Sequence, residues 1–313
     1  MFTRNETLID KARYSKKLPN LIWALILALI FLNIGSLIGS LITLPLIVIM
    51  GIIPYFESNQ NLIILLSSLI SFIGISLLVF FRVKKIEKRK ISSIGFEKSG
   101  FLKKYLLGFV IGLILMSIVV LILYLFGFVD INKNPSQPVG IFAIANVFII
   151  LIGWIIQGGT EEILTRGWLM NVLSARYNVH IGLFISSVFF GALHLLNPNV
   201  NYIAILNIIL VGYLFGLYVL KTNDLWGACG IHSAWNFAQG NLFGFEVSGI
   251  NVSIGSLLDL NLKGNPSISG GNFGPEAGLC STVVLLLGII LIFYLDKKGL
   301  FKKYFNNYGP IYK

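Results

Sequence analysis

Residues 141–166, IFAIANVFIILIGWIIQGGTEEILTR, set two adjacent carboxylates, Glu161 and Glu162, directly after an apolar run at residues 141–156. An ionised side chain inside a bilayer is costly unless it is paired or faces a wet cavity. A chain that accepts two such groups side by side is therefore expected to use them. We interpret the stretch as a membrane helix that carries a functional polar site, and the rest of the chain as its scaffold.

The composition supports a membrane protein. Of the 313 residues, 56% are hydrophobic and only 12% are charged, and the mean hydropathy is +0.85. Soluble globular proteins carry about 25% charged residues, so a soluble class is excluded. The two cysteines, Cys229 and Cys280, lie in apolar surroundings and form neither a disulfide framework nor a zinc-finger spacing.

Hydropathy and the length needed to cross a bilayer, about 20 residues, predict an all-α fold. We expect a polytopic transmembrane helical bundle of about eight helices with an intramembrane polar cavity. The first apolar stretch is either one long tilted helix or a span followed by an interfacial segment, broken near Gly39 or Pro45. The predicted spans cover residues 18–53, 62–81, 105–126, 141–174, 181–196, 203–220, 225–243 and 277–295.

The basic residues predict the orientation. With eight spans and a cytoplasmic N-terminus, all lysines and arginines except Lys133 and Lys263 fall in cytoplasmic segments or their flanks, as the positive-inside rule requires. The net charge of +11 is then read as solvated flanks beside anionic lipid. Nucleic-acid binding is excluded because there is no soluble basic domain. Both termini are expected to be cytoplasmic.

The chain divides into five predicted segments. They are a cytoplasmic N-terminal segment (1–17), the first three membrane helices without a motif (18–140), a core of four helices (141–245), an extracytoplasmic loop rich in Gly, Ser and Asn (246–276), and the last membrane helix with a basic cytoplasmic tail (277–313).

The first polar cluster is Glu161-Glu162-x-x-x-Arg166. Glu162 and Arg166 are four residues apart, so on a helix they share a face and can pair. Glu161 points about 100° away and is left as the free carboxylate, suited to act as a general base. The alternative is a salt bridge at a helix end near the membrane surface.

Two further clusters carry histidines within apolar spans. His194 ends Phe190-Gly-Ala-Leu-His194, and His232 begins His232-Ser-Ala-Trp-Asn236. His232 and Asn236 share a helix face and could donate two hydrogen bonds to one oxygen, as in an oxyanion hole, or complete a metal site. The alternatives are a core histidine bonded to a backbone carbonyl, and polar contacts that hold helices together.

Other catalytic patterns are missing from the sequence. It contains no His-Glu-x-x-His, no Gly-x-Ser-x-Gly and no phosphate or dinucleotide loop. A transporter with a proton relay through Glu161 would be expected to show an inverted repeat, and we find none. Glycines at 35, 39, 108 and 112 are interpreted as close packing between helices.

Taken together and in this order, the three clusters resemble the CPBP intramembrane proteases. That family is named for CAAX prenyl proteases of type II and bacteriocin-processing proteins and is also called the Abi family. Its pattern is Glu-Glu-x-x-x-Arg, Phe-x-x-x-His and His-x-x-x-Asn or Asp, on successive core regions of an eight-helix bundle. The resemblance covers about residues 141–245, and Gly274-Pro275-Glu276-Ala277-Gly278 also looks like the family.

The resemblance implies a peptide-bond hydrolase. Glu161 would be the general base on a water molecule that His194 orients, and His232 and Asn236 would stabilise the oxyanion. Glu162 and Arg166 would support the geometry of the site. A second version has one divalent metal, zinc, bound by Glu161, His194 and His232; the metal-free glutamate mechanism is equally allowed.

The expected partners are a peptide or membrane-protein substrate and the lipid bilayer; no oligomeric state is predicted. The residue usage, with many Ile, Lys and Asn, indicates a bacterial plasma membrane. A non-catalytic immunity or partner protein would keep the fold without needing Glu161. For the distant clusters to meet, we expect a helix to be tilted, offset or unwound near Gly158-Gly159 or Gly191, and we expect a cavity open toward the cytoplasm.

Overall fold

The computed structural model describes residues 6–301, so Arg4 and the predicted basic tail from residue 302 lie outside the described residues. The chain folds into a helical bundle with one short β-ladder, which confirms the predicted all-α polytopic class. The α-helices are α1 Leu8–Arg13, α2 Leu21–Gly51, α3 Pro54–Glu57, α4 Gln60–Ser71, α5 Ile73–Phe81, α6 Phe101–Leu125, α7 Ile144–Glu162, α8 Asn171–Arg176, α9 Val179–Ala192, α10 Tyr202–Thr222, α11 Trp226–Phe237, α12 Pro266–Ser269 and α13 Leu279–Lys297.

Short helical pieces of other kinds join or extend these helices. Three are π-helical, at Arg82–Ile86, Ile163–Met170 and Ala238–Leu242. Four are 3₁₀ turns, at Ile91–Ile94, Gly140–Ala143, Gly271–Phe273 and Pro275–Ala277.

Within the described part of the chain, six helices are long and apolar enough to cross a bilayer. They are Leu21–Gly51, Gln60–Ile86, Phe101–Leu125, Gly140–Arg176, Tyr202–Thr222 and Leu279–Lys297. The protein is therefore an integral membrane protein, and six of the about eight predicted helices meet this criterion of length and composition. The predicted fifth span forms as α9, of 14 residues, and the seventh as α11, of 12 residues, which continues directly into the π-helical turn Ala238–Leu242. At 1.5 Å per residue, 14 residues reach about 21 Å, short of the roughly 30 Å hydrocarbon.

Helix α11 can be short because it lies inside the protein. Ten of its twelve residues are buried, from Gly227 to Asn236, and α6 and α7 pack along it. Its ends are surrounded by protein, where other groups can satisfy the free backbone donors and acceptors, so lipid does not dictate its length. The helix that carries the third motif is thus a core element.

Glycines bring the helices into backbone contact, as predicted. A methyl group added at Gly39 of α2 would lie 1.6 Å from the carbonyl oxygen of Ser71, and one at Gly74 of α5 would lie 2.1 Å from that of Gly35. On α6, a methyl group at Gly108 would lie 2.0 Å from the carbonyl oxygen of Gly227. The long α2 also remains one continuous helix through Pro45, so it does not break there.

The basic connections fold back onto one end of the bundle, here termed the basic end (the segments 82–100 and 221–225). The fully buried Glu87 accepts a 2.5 Å hydrogen bond from Arg89 and a 2.8 Å bond from Trp168 Nε1. Lys104 pairs with Asp224 at 2.8 Å, and both are buried. Several of the basic side chains are therefore structural partners, and the interpretation of every charge run as a solvated flank was too simple.

The opposite end of the bundle, here termed the loop end, is formed by the segments 127–143 and 243–278. Strand β1 (Val129–Ile131) pairs antiparallel with β2 (Leu260–Leu262) and joins the two segments. The predicted 246–276 loop is ordered against the helices: Val247, Val252 and Ile254 are buried with residues of α4 and α7. This loop closes over the centre of the bundle and lines the cavity described next.

Candidate active site

A cavity of about 310 Å³ lies between the middle of the bundle and the loop end. Glu161, His194, His232 and Asn236, from all three predicted clusters, line this one cavity. Helices α7 and α11 and the turn that follows α9 supply these side chains. The structure thus brings together residues that are up to 75 positions apart in sequence.

Glu162 forms the predicted pair with Arg166 and an additional bond. Its Oε1 atom accepts a 2.6 Å hydrogen bond from Arg166 NH1, and neither side chain is exposed. The same oxygen lies 2.9 Å from Nδ1 of His232. A carboxylate oxygen accepts, so Nδ1 carries the hydrogen of this bond. Glu162 thereby fixes the orientation of His232 across two helices.

Glu161 lies on the other side of the same imidazole. His232 Nε2 is 3.5 Å from Oε2 of Glu161, whose side chain is 15% exposed while that of Glu162 is fully buried. Because Nδ1 is committed to Glu162, Nε2 is the nitrogen that faces the cavity carboxylate. The two adjacent glutamates therefore differ in environment, in the sense predicted: Glu162 is paired and enclosed, and Glu161 faces the cavity.

His194 is held by the residue that begins its own motif. Its Nδ1 atom donates a 2.9 Å hydrogen bond to the backbone carbonyl of Phe190. In the neutral imidazole this assignment leaves a lone pair on Nε2. The core-histidine alternative is correct about the carbonyl bond, but His194 is only partly buried and lines the cavity.

The ring of Phe190 contacts members of all three motifs. It lies edge-on to His194 and His232, with centroids 5.0 Å and 5.9 Å away. The guanidinium carbon of Arg166 lies 4.4 Å from the ring centroid, which is cation–π distance. The Phe of the second motif is therefore a common packing surface for the charged and imidazole groups.

Asn236 has a partner that sequence reasoning missed. Its Nδ2 donates a 2.9 Å hydrogen bond to Oε1 of Gln157, and both side chains are buried and line the cavity. Gln157 lies four residues before Glu161, on the same face of α7. This spacing is the sequence signal that could have identified Gln157 as a cavity residue: a glutamine one turn before a glutamate, inside an apolar helix.

Glu276 is the second cavity residue that the sequence analysis did not identify. It lies in the 3₁₀ turn before α13, is 6% exposed and lines the cavity. Its carboxylate accepts hydrogen bonds from the backbone and hydroxyl of Ser248, from Gln239 and from Trp235. It therefore ties the 246–276 loop to α11 beside the predicted site.

The expected unwinding at the glycines is not present. Gly158 and Gly159 are α-helical, and the change to π-helical geometry follows Glu162, at Ile163–Met170. Gly158 instead permits close packing, since a methyl group there would lie 2.9 Å from the backbone nitrogen of Ser233. π-Helical segments are frequent at functional sites. The Glu162–Arg166 pair spans the start of this one.

The residues that line the cavity show which end of the bundle it is nearer to. Ser248, Ile250, Val252 and Glu276 belong to the loop-end segment 243–278, and among residues 6–301 no residue of the basic connections 82–100 or 221–225 lines the cavity. The cavity is therefore nearer to the loop end.

The predicted metal ligands do not assemble into a site. Glu161 and His232 are close, but His194 does not complete a group: within residues 6–301 no three His, Cys, Asp or Glu side chains are placed to hold a metal ion. Both histidines hold Nδ1 in protein hydrogen bonds, which leaves each Nε2 free to bind a metal, so the objection to zinc is the placement of the three side chains. The residues as placed do not fit a three-ligand zinc site, so no step below is derived through a metal.

The fold and cavity define a polytopic membrane protein with a buried polar site of two glutamates, two histidines and an asparagine. Residues 143–238 match the family model described as type II CAAX prenyl endopeptidase Rce1-like. This match covers less than a third of the chain but contains all three motifs, and it confirms the resemblance to the CPBP family over this segment. It supports an intramembrane endopeptidase of the CAAX type. No curated protein and no solved structure matches the chain.

Proposed function

We propose that the protein is an intramembrane endopeptidase that hydrolyses peptide bonds of membrane-associated or peptide substrates with a glutamate-activated water. The observation that carries the proposal is the convergence of Glu161, His194, His232 and Asn236 on one cavity. A salt bridge at the membrane surface would account for Glu162 and Arg166 alone. It would not account for two histidines and an amide from other helices around Glu161.

Glu161 is the proposed general base. Arg166 is already paired with Glu162, so the carboxylate of Glu161 is available to accept a proton from water. His194 holds its Nδ1 hydrogen on the Phe190 carbonyl, and its Nε2 lone pair can accept a hydrogen bond from the same water. Two acceptors around one water orient its oxygen toward a substrate carbonyl. A positioned general base contributes about 10²–10⁴ in rate.

Asn236 and His232 are the proposed oxyanion donors. One hydrogen of Asn236 Nδ2 is donated to Gln157, and the second is available for the substrate oxygen. His232 holds its Nδ1 hydrogen on Glu162, so Nε2 is the ring nitrogen that can donate to the substrate oxygen when it carries a hydrogen. The water oxygen bonds to the carbonyl carbon and Glu161 takes the proton. Glu161 then returns the proton to the amide nitrogen as the C–N bond breaks.

The walls of the cavity fit a substrate that comes from the membrane. Leu65, Leu69 and Phe72 line one side, and Ile208 and Val211 another. Apolar walls with a few converging polar groups are typical of ligand sites. We propose an apolar or membrane-anchored peptide segment as the substrate, in an extended form that exposes its backbone carbonyl to Glu161.

Purified protein in lipid nanodiscs and quenched fluorescent peptides test the proposal. We expect Glu161→Gln and Glu161→Ala to lower kcat by about 100-fold or more. Glu57→Gln, an exposed glutamate outside the cavity, serves as the matched control. The proposal fails if both Glu161 variants are folded and cleave like the wild type. A non-catalytic immunity or partner protein would give a different result: neither the wild type nor any variant would cleave the peptides.

Metal analysis of the same samples, with cleavage measured before and after a chelator, tests the choice of mechanism. Because the three candidate ligands do not assemble, we expect cleavage to persist after chelation. Loss of cleavage that added zinc restores would refute the metal-free version.

We also propose that the protein lies in a bacterial plasma membrane with its basic end in the cytoplasm, according to the positive-inside rule. The active-site cavity would then face away from the cytoplasm. Single cysteines placed at Lys263 and Lys90, in a background without Cys229 and Cys280, test this. An impermeant thiol reagent applied to intact cells should label position 263 and not position 90; the reverse labelling would invert the topology.

A further inference from the structure

Glu276 is a buried carboxylate at the cavity for which the proposed hydrolysis has no use. It is 6% exposed, and all four of its hydrogen bonds come from neutral groups. Ser248 N and Oγ donate to Oε1 at 2.6 Å and 3.0 Å, and Gln239 donates to the same oxygen at 3.2 Å. Trp235 Nε1 reaches Oε2 at 3.3 Å.

No cation compensates this carboxylate. Among the ion pairs of residues 6–301 none includes Glu276, and the residues lining the cavity include no lysine or arginine. Removing a carboxylate from water costs several kcal/mol unless a cation or strong donors compensate it. The donors are also unevenly distributed: three reach Oε1 and a single long bond reaches Oε2. Oε2 therefore keeps capacity for a further donor, and Glu276 lines the cavity.

Glu276 lines the same cavity as the proposed catalytic groups. Trp235 and Gln239, which bond Glu276, are on the same helical run as Asn236, one residue before it and three after it. Three residues of a helix rise about 4.5 Å. An extended peptide advances about 3.3 Å per residue, so Glu276 lies near a side chain within two or three residues of a bond held at Asn236.

We infer that Glu276 forms a specificity subsite that binds the cationic side chain of a lysine or arginine close to the scissile bond. This inference rests on the proposed peptidase function and names its substrate class. A substrate cation would supply the missing countercharge and a charge-assisted hydrogen bond to Oε2. Acidic side chains would be rejected, because Glu276 and Glu161 are both carboxylates on the cavity wall.

Peptides that differ only in one charge test the subsite. A lysine, an Nε-acetyl-lysine or a glutamate is placed in turn at each position from three before to three after the cleaved bond. The wild type is expected to show kcat/KM about tenfold higher for lysine than for acetyl-lysine at one position, with glutamate poorest. Cleavage with ratios within twofold at every position overturns the inference and leaves the peptidase function standing.

Glu276→Gln tests the residue itself, since glutamine keeps an acceptor for Ser248. The ratio of lysine to acetyl-lysine cleavage is expected to fall toward one. The matched control Glu57→Gln should keep the wild-type ratio. Retention of the full preference by folded Glu276→Gln overturns the assignment to Glu276.

A binding measurement tests the cation-binding subsite separately from the peptidase function. It does not depend on the folding of Glu276→Gln. Fluorescence anisotropy with folded Glu161→Gln protein should show about tenfold tighter binding of the lysine peptide than of the acetyl-lysine peptide. If no peptide is cleaved by the wild type but this preference is present, the peptidase function fails and the subsite stands. Equal binding of the two peptides overturns the subsite.

Discussion

Replacing Arg166 by methionine removes the cation that faces Glu162 and should destabilise the fold by about 3–5 kcal/mol, the range for breaking a buried ion pair. The pair is fully buried, with 2.6 Å between NH1 and Oε1. The change also removes the cation–π contact with Phe190 at 4.4 Å, worth about 2 kcal/mol when desolvated. His232 still donates to Glu162, so the stranded carboxylate keeps one donor and the value should lie below the sum of these terms.

A double-mutant cycle with Glu162→Gln isolates the charge term, because the double variant leaves neither charge stranded. The free energy of unfolding is measured by denaturant titration in mixed micelles for the wild type, both single variants and the double variant. We expect the double variant to be at least about 2 kcal/mol more stable than the sum of the single effects predicts. Additive single effects, or a loss below about 1 kcal/mol for Arg166→Met, would refute the reasoning.

Three further outcomes follow from neighbouring contacts. Gly158→Ala should destabilise the fold by about 1–3 kcal/mol because its methyl group overpacks against the Ser233 backbone. Gly159→Ala, which has open space around it, should be neutral or stabilising by up to about 1 kcal/mol. Equal shifts of the unfolding temperature for the two variants would contradict this. Phe190→Leu should lower both the unfolding temperature and the cleavage rate, since its ring supports groups from all three motifs; an unchanged rate would limit Phe190 to packing. Gln157→Leu should lower kcat about tenfold with little change in KM. Gln157→Glu keeps an acceptor for the amide of Asn236 and should therefore retain a higher kcat than Gln157→Leu. A change in KM alone would argue against a role of Gln157 in positioning Asn236.

The fold class could be predicted because hydropathy reports directly on lipid contact. Runs such as 105–126 and 203–220 nearly coincide with α6 and α10. Hydropathy does not distinguish lipid from protein as the surrounding medium, so it does not show that α9 and α11 are shorter than the other helices. The ordered packing of residues 246–276 was also missed, because a polar loop gives no periodic signal.

The site could be predicted where its contacts are local. Glu162 and Arg166 are four residues apart, and helical spacing alone predicts their pair. The bond between Glu162 and His232 joins residues 70 positions apart, and no local spacing indicates it. Glu276 lies in a polar turn where an acidic residue is not unusual, so only the folded cavity shows that it is buried.

The shared Oε1 atom of Glu162 sets the charge of the whole cluster. Glu161, Glu162 and Arg166 sum to one negative charge when His232 is neutral, and one added proton brings the sum to zero. Nε2 of His232 and Oε2 of Glu161 are 3.5 Å apart, so an added proton has two neighbouring acceptor positions in the cluster. Peptide hydrolysis takes a proton from water and gives one to the departing amine. A cluster with one mobile proton can complete that cycle without exchanging protons with the bulk solvent.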